Sequence, residues 1–416
     1  MTPNITYDRD FIGIGFGPMH LSLACYFADK AVPQRAAQFF EKKSEFSWHS
    51  GLQFAGSLMQ TPFLKDLASM RDPRSPFTFL SYLKEHGRLE AFIDNRILYP
   101  TRAEYEHYLR WAAQETQAYV DYRTTVEAIE PAVDAAGSMV GFKVVTKDGT
   151  AHKCRLLSVA AGLSASHKNA APERVVQVSD YEHKMADLLL ADNVPGNVLV
   201  VGAGQSGGEV VLDLLRRLPG TNVCAASRGF VFRTVEANPF VNGMFCEPAQ
   251  KDFRQLPLQA RKHYLDDLRL SNYGAVDESM IAAISRLEYD ESVSGLRRLS
   301  RRSYCDIVSL TPRGEKVAAE MRDIHSGQTS VDHFDLVIDS RGFNADPVTR
   351  LLAPLKNFLR QPHLADMTLD ANYAVAELDS PVCKLFVHGY ASYLVDTTII
   401  CNIAQRAEAM GRLVHA

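Results

Sequence analysis

The chain has 416 residues, 46% hydrophobic and 23% charged, with a formal net charge of −4. At roughly 150 residues per domain, that length holds two or three compact units, each able to bury a core without disulfide staples. The charge balance gives no basic field for nucleic acid or an anionic membrane, and no window approaches the roughly 18 uninterrupted apolar residues of a membrane span.

The apolar run at Phe11 and Ile12 meets a glycine cluster and then the helix-like stretch MHLSLACYFADK; AAQFFEKK reads as a second strand ending at Glu41. Residues 44–75 are irregular, rich in Ser, Gly, Pro and aromatics, and too long for a plain connector, so they form a candidate functional loop. Residues 76–117 read as helical with a break at Tyr99-Pro100, and VDYRTT, GFKVVTK and LLSVAAG as strands. From residue 197, NVLVVGAGQSGGEVVLDLLRRL repeats the strand–turn–helix unit of the N-terminus. FDLVIDSRGF (334–343) reads as a strand that returns to the first domain, which the remaining residues complete.

The expected fold is therefore α/β. It has two Rossmann-like nucleotide-binding domains, the first formed by 1–180 and 341–416, the second inserted as 181–340 and carrying a small, mainly helical substrate region at about 245–300. The seven cysteines (Cys25, Cys154, Cys224, Cys246, Cys305, Cys383, Cys401) form no Cys-x-x-Cys pair. An odd count without ligand spacing argues for single thiols in a reducing compartment and against a metal site. The N-terminus has no basic segment, apolar run and cleavage site of a secretory signal, so a cytoplasmic location is expected.

In Gly13-Ile-Gly15-Phe-Gly17-Pro18 the glycines let the backbone approach a pyrophosphate resting on the helix N-terminus, and Glu41 is placed to accept hydrogen bonds from ribose hydroxyls. A tight turn alone would also use these glycines; the strand, helix and downstream acid favour the nucleotide. The second loop is Gly202-Ala-Gly204-Gln205-Ser206-Gly207, and the strand after it ends at Ser227-Arg228 instead of an acid. A guanidinium there suits the extra phosphate of NADP, although Arg228 would also be at home as a solvated strand-end residue. One loop with an acid and one with an arginine is the logic of a flavin enzyme drawing hydride from NADPH, with FAD at the first.

SWHSGLQFAGSLMQTPFLKDLASMRDPRSPFTFLSYL narrows the reading. With the GxGFGP turn, it carries Trp48-His49, Gln60, Phe63-Leu-Lys65-Asp66-Leu67 and Pro73-Arg-Ser75-Pro76-Phe77. Further along stand Tyr99-Pro-x-Arg102, Tyr108-Leu-Arg-Trp111, Gly204-Gln-Ser206 with Glu209, Pro239-Phe-Val-Asn242 and Ser271-Asn272-Tyr273. As an ordered set over nearly the whole chain, these resemble the L-ornithine and L-lysine N-hydroxylases of siderophore biosynthesis and their diamine-using relatives.

The resemblance implies N-hydroxylation of the terminal primary amine of L-ornithine, L-lysine or a diamine: NADPH reduces FAD, oxygen adds as a flavin C4a-hydroperoxide, and the neutral amine attacks its distal oxygen. It places Trp48, His49 and Gln60 on FAD, Lys65 on a substrate carboxylate, and Asn242 and Asn272 on the amino acid and NADP⁺. Asp396 and Thr397 should meet FAD. A homotetramer or dimer is also implied. Three departures stand out. Arg341, in Ser340-Arg341-Gly342-Phe343, replaces a small residue near FAD and implies looser flavin retention. Val395 replaces a serine near the substrate and implies a shift away from ornithine. Gly162-Leu-Ser-Ala lacks the family's proline turn. An aryl-ethylamine substrate, or mainly NADPH oxidase activity, are the alternatives.

Overall fold

The computed structural model describes residues 6–162, 164–165, 173–271, 274–361, 363, 366–388 and 402–415. The N-terminal apolar run forms β1 (Arg9–Ile14), with Phe11 and Ile12 fully buried, and the glycine turn delivers the chain into α1 (Pro18–Asp29). Pro18 takes the first helical position, where a missing N–H leaves no bond unmade. β2 (Ala37–Phe40) lies parallel to β1.

The stretch expected to be helical holds α2 (Phe79–Glu85), α3 (Leu89–Asp94) and α4 (Arg102–Glu115). The hydroxyls of Thr78 and Thr101 accept from the N–H groups of Ser81 and Glu104, capping α2 and α4. β3 (Val120–Asp121), β4 (Val126–Val133), β5 (Met139–Thr146) and β6 (Ala151–Val159) follow. These strands make one sheet in the order β3-β2-β1-β6-β5-β4. An aromatic cluster that includes Phe79, Tyr82, Tyr105 and Tyr108 packs α2–α4 against it.

β7 (Ser164–Ala165) and β8 (Val175–Gln177) lead to α5 (Tyr181–Leu190), β9 (Asn197–Val201), α6 (Gln205–Arg217) and β10 (Asn222–Ala226). A helical run follows: α7 (Pro239–Gly243), α8 (Glu247–Gln255), α9 (Leu258–Asp267) and α10 (Glu278–Val293). Next come β11 (Leu299–Arg302), an antiparallel meander of β12 (Cys305–Arg313), β13 (Lys316–Asp323) and β14 (Thr329–Phe334), and β15 (Leu336–Asp339). The second sheet is parallel throughout, in the order β11-β10-β9-β15-β8.

FDLVIDSRGF corrects the expected strand return. β15 sits inside the second sheet, between β9 and β8, with all four residues buried, as a strand covered on both faces must be. β8, although it precedes residue 180, pairs with it. The chain goes back by β16 (Phe343–Asn344), antiparallel to β7, then α11 (Asp346–Leu352) and β17 (Lys384–Val387), which joins the first sheet beside β6. α12 (Ile403–His415) closes on α1, where Gly411 admits the Tyr26 ring; a Cβ there would stand 2.2 Å from it. Among the described residues no helix is long and apolar enough to cross a membrane.

Candidate active site

The two glycine turns lie at the carboxyl ends of β1 and β9, the edge at which open α/β sheets bind ligands. Each glycine of the first turn has its own reason. A Cβ on Gly13 would stand 2.5 Å from the Phe39 ring; Gly15 has φ +84° and sits 2.4 Å, by the same measure, from the Ala160 carbonyl oxygen. At Gly17 a side chain would meet nothing within 4 Å, so no contact within the described residues requires a glycine there. The first helical bond runs from Leu21 N–H to the Gly17 carbonyl, leaving the preceding N–H groups at the helix start without intrahelical partners.

Glu41 follows β2 and is 8% exposed. Its Oε2 accepts from Phe16 N–H at 2.7 Å and its Oε1 from Lys43 N–H at 2.9 Å. The carboxylate thus holds the turn itself, and each oxygen keeps lone-pair capacity for a ribose hydroxyl. Beneath the turn lies His20, which the sequence reading passed over. Fully buried on α1, it has Nδ1 2.5 Å from the Gly15 carbonyl oxygen and Nε2 2.6 Å from Ser158 Oγ. A carbonyl only accepts, so Nδ1 carries the proton and Nε2 receives the serine hydroxyl. Burial pushes the pKa of His20 down to about 4 against the raising effect of the Gly15 bond; the ring is neutral.

Trp48 and His49 stack edge-on with ring centroids 4.4 Å apart, and Trp48 also packs against Tyr105. His49 has φ +50° and begins the short 3-10 turn Ser50–Leu52. Its pKa falls to about 4, first through desolvation, then through Arg102 and Lys43, so it too is neutral near pH 7. Gln60 is exposed, and beside it the enclosed Ser57 Oγ and Thr61 Oγ1 lack a hydrogen-bond partner among the described residues. This donor-rich loop fits a polar cofactor.

Lys65 is half-buried, and among the described residues it has no ion pair. A pair with neighbouring Asp66 does not form: that buried carboxylate accepts from the backbone of Ala68, Ser69 and Phe79 and from the Ser69 hydroxyl. Asn242 is exposed on α7; the cap of that helix is Asn238, whose side chain accepts from Phe240 and Val241 N–H. No hydrogen bond joins Lys65 to Asn242 among the described residues. Asn272, Val395, Asp396 and Thr397 lie outside the described residues, as does Leu163 of the Gly162 turn.

In the second turn Gly202 has φ +116° and would put a Cβ 2.6 Å from the Ser340 carbonyl oxygen; Gly207 would put one 2.4 Å from that of Gly202. Gly204 is the cap position of α6 and Ser206 lies in its first turn. The Gln205 side chain is engaged within the protein: Nε2 donates to Glu209, and Oε1 accepts from Asp277 N–H. Ser227 follows β10, its N–H on Arg302 and its hydroxyl accepting from Gly229 N–H, while Arg228 is exposed with no ion pair among the described residues.

Arg341 differs from expectation. Its Nε and Nη2 make a two-pronged bond to Asp339, at 2.9 and 2.6 Å, and its N–H binds the same carboxylate. The sequence reading also missed that Arg102 and Glu209, quoted as separate motif members, are partners. A cation at the start of a helix, where the dipole disfavours it, was the available signal.

The family model described as L-lysine 6-monooxygenase/L-ornithine 5-monooxygenase matches residues 8–345. An L-ornithine N(5)-monooxygenase of Burkholderia cepacia is 34% identical over 369 residues, 86% of this chain and 82% of that protein. The ornithine N-hydroxylase of Kutzneria sp. 744, solved with reduced FAD, NADP⁺ and L-ornithine, superposes with a TM-score of 0.90 at 27% identity, covering 98% of this chain and 99% of that one. The L-lysine 6-monooxygenase of Pseudomonas syringae gives 0.85 at 26%, covering 98% and 99%.

Proposed function

Because this chain belongs to the L-lysine 6-monooxygenase/L-ornithine 5-monooxygenase family of flavin-dependent N-monooxygenases, we propose that it hydroxylates the terminal nitrogen of a small amino acid, ornithine or lysine, using FAD, NADPH and O₂. The observation that carries the substrate class is Lys65: a half-buried ammonium with no ion pair among the described residues, whose neighbouring acid is fully occupied elsewhere. A compact cation so placed suits a carboxylate.

FAD fits the first turn, with its pyrophosphate over Gly15–Gly17 and its ribose at Glu41. NADPH fits the second, with its extra phosphate at Ser227-Arg228. Bound and reduced, the flavin supplies the activated oxygen. The protein's part is to bind, orient and exclude water, since a neutral amine is itself the nucleophile and needs no general base in the attack. Neutral His20 and His49 keep uncompensated imidazolium charge away from the flavin loops. Asn242 and Asn272 would orient the amino acid and NADP⁺, with Val395 at the amine end, and Asp396 and Thr397 on FAD.

The test is an amine panel scored for hydroxylamine and for NADPH consumed. Hydroxylamine from ornithine or lysine, in ratio with NADPH, is expected. Product only from a diamine or an aryl-ethylamine would overturn the carboxylate assignment. NADPH consumption that ends in peroxide with every amine would overturn hydroxylation.

A further inference from the structure

Arg102 and Glu209 stand 107 residues apart in sequence and meet in the structure. Arg102 opens α4, which packs on the first sheet; Glu209 lies on α6, one turn past the glycine loop of the second. The bond is two-pronged, Nη2 to Oε1 at 2.7 Å and Nη1 to Oε2 at 3.1 Å, with side chains 12% and 2% exposed. In such surroundings a charge that loses its partner is costly, so the pair resists separation.

Both residues also hold the backbone around the two cofactor loops. Arg102 Nη1 donates to the Leu52 carbonyl, in the short turn directly after Trp48-His49. Glu209 Oε1 accepts from Gln205 Nε2 at the first residue of α6, and Gln205 Oε1 receives Asp277 N–H at the cap of α10. The 50–54 segment is itself pressed on the second unit. A Cβ on Gly51 would lie 1.8 Å from the Ser179 carbonyl oxygen, Phe54 packs on the Tyr181 ring at 5.2 Å, and Ser50 Oγ lies 3.2 Å from His183 Nε2. One continuous set of contacts therefore runs from Trp48-His49 through Arg102 and Glu209 to the start of α6.

We propose that Glu209 is a positioning residue: through Arg102 it fixes the helix start that receives the nicotinamide cofactor against the loop that faces the flavin, and so sets the distance and angle for hydride transfer. This rests on the assignment of FAD and NADPH to the two turns. Neither side chain touches the reacting atoms in this role. Misplacement on the order of 1 Å away from the chemistry can cost about a hundredfold in rate.

The experiment is anaerobic reduction of the bound flavin by NADPH in a rapid-mixing instrument, with NADP⁺ affinity measured separately by titrating the flavin absorbance. For Glu209→Gln, the limiting reduction rate at saturating NADPH should fall by roughly tenfold or more, while NADP⁺ affinity stays within about threefold. Arg102→Lys, which keeps the charge but loses the fork, should fall in between. Should Glu209→Gln fail to retain flavin, the double variant Arg102→Met/Glu209→Leu supplies the reading, because an apolar pair in place of a buried ion pair is often neutral for folding. Its limiting reduction rate should fall by roughly tenfold or more against the unmodified protein. A wild-type limiting rate in any folded variant that lacks the pair would overturn the positioning role, as would a loss of NADP⁺ affinity that matches the loss of rate. Unmodified protein whose flavin NADPH cannot reduce would instead overturn the cofactor assignment, and this proposal with it.

Discussion

Acid should loosen the first glycine turn through His20. A free histidine titrates near 6.5, whereas buried His20 does so at about 4. Between those values the unfolded chain binds the proton and the folded one does not. The contribution is therefore complete above pH 6.5 and is lost as pH falls toward 4. Lowering pH from 7 to 5 should remove about 2 kcal/mol of stability through this residue alone. His20→Asn is the matched control. Its amide N–H₂ can still donate to the Gly15 carbonyl, and it does not titrate. Urea unfolding at both pH values, with FAD saturating, should show the variant less stable at pH 7 because ring packing is lost. It should also be less sensitive to acid than the unmodified protein by about 2 kcal/mol. Flavin release on acidification should follow, since Gly15 belongs to the turn that Glu41 and His20 hold from two sides. Equal acid sensitivity in the two proteins would refute the reasoning, showing that His20 is either protonated in the fold or open to water.

Arg228→Ala should lose most of the preference for NADPH over NADH, by roughly tenfold to a hundredfold in the concentration needed for flavin reduction, as expected for one charge-assisted contact; equal use of both nicotinamides by the unmodified protein would remove Arg228 from the phosphate. Lys65→Ala should raise the apparent KM for ornithine or lysine strongly, leaving flavin reduction by NADPH near normal, and an unchanged KM for the best amino acid would remove Lys65 from the carboxylate.

What could be read from the sequence was what is local. Gly13, Gly15, Gly17, Gly202 and Gly207 announce their turns because each acts within a few residues of a strand and a helix. What escaped was whatever depends on a distant partner. His20 looks like one polar residue in an apolar helix until Ser158, 138 residues on, comes beneath the turn. Arg102 and Glu209 could be matched to motifs singly, but no spacing rule links residues on helices that belong to different sheets. β15 misled for a different reason: a four-residue apolar strand carries no mark of which sheet will bury it, and here β9 and β8 flank it.

Arg341 shows how a single local contact changes a functional expectation. A large cation near the flavin edge would weaken flavin retention if it were buried without a counter-charge, since an unpaired ion in such a place costs several kcal/mol. Asp339, two residues upstream and 4% exposed, supplies that counter-charge through a fork bond, and its carboxylate takes the Arg341 N–H as well. The two residues form a closed unit at the end of β15, directly after the strand and beside Ser340, whose carbonyl crowds Gly202. The guanidinium is thus committed to shaping the end of the second sheet, next to the second glycine turn. Its charge is neutralised there, and the argument for loose flavin from an unpaired cation no longer has its premise. The departure from the family's small residue is accommodated by an acid of this chain, which places its consequence at the junction of the second glycine turn with β15.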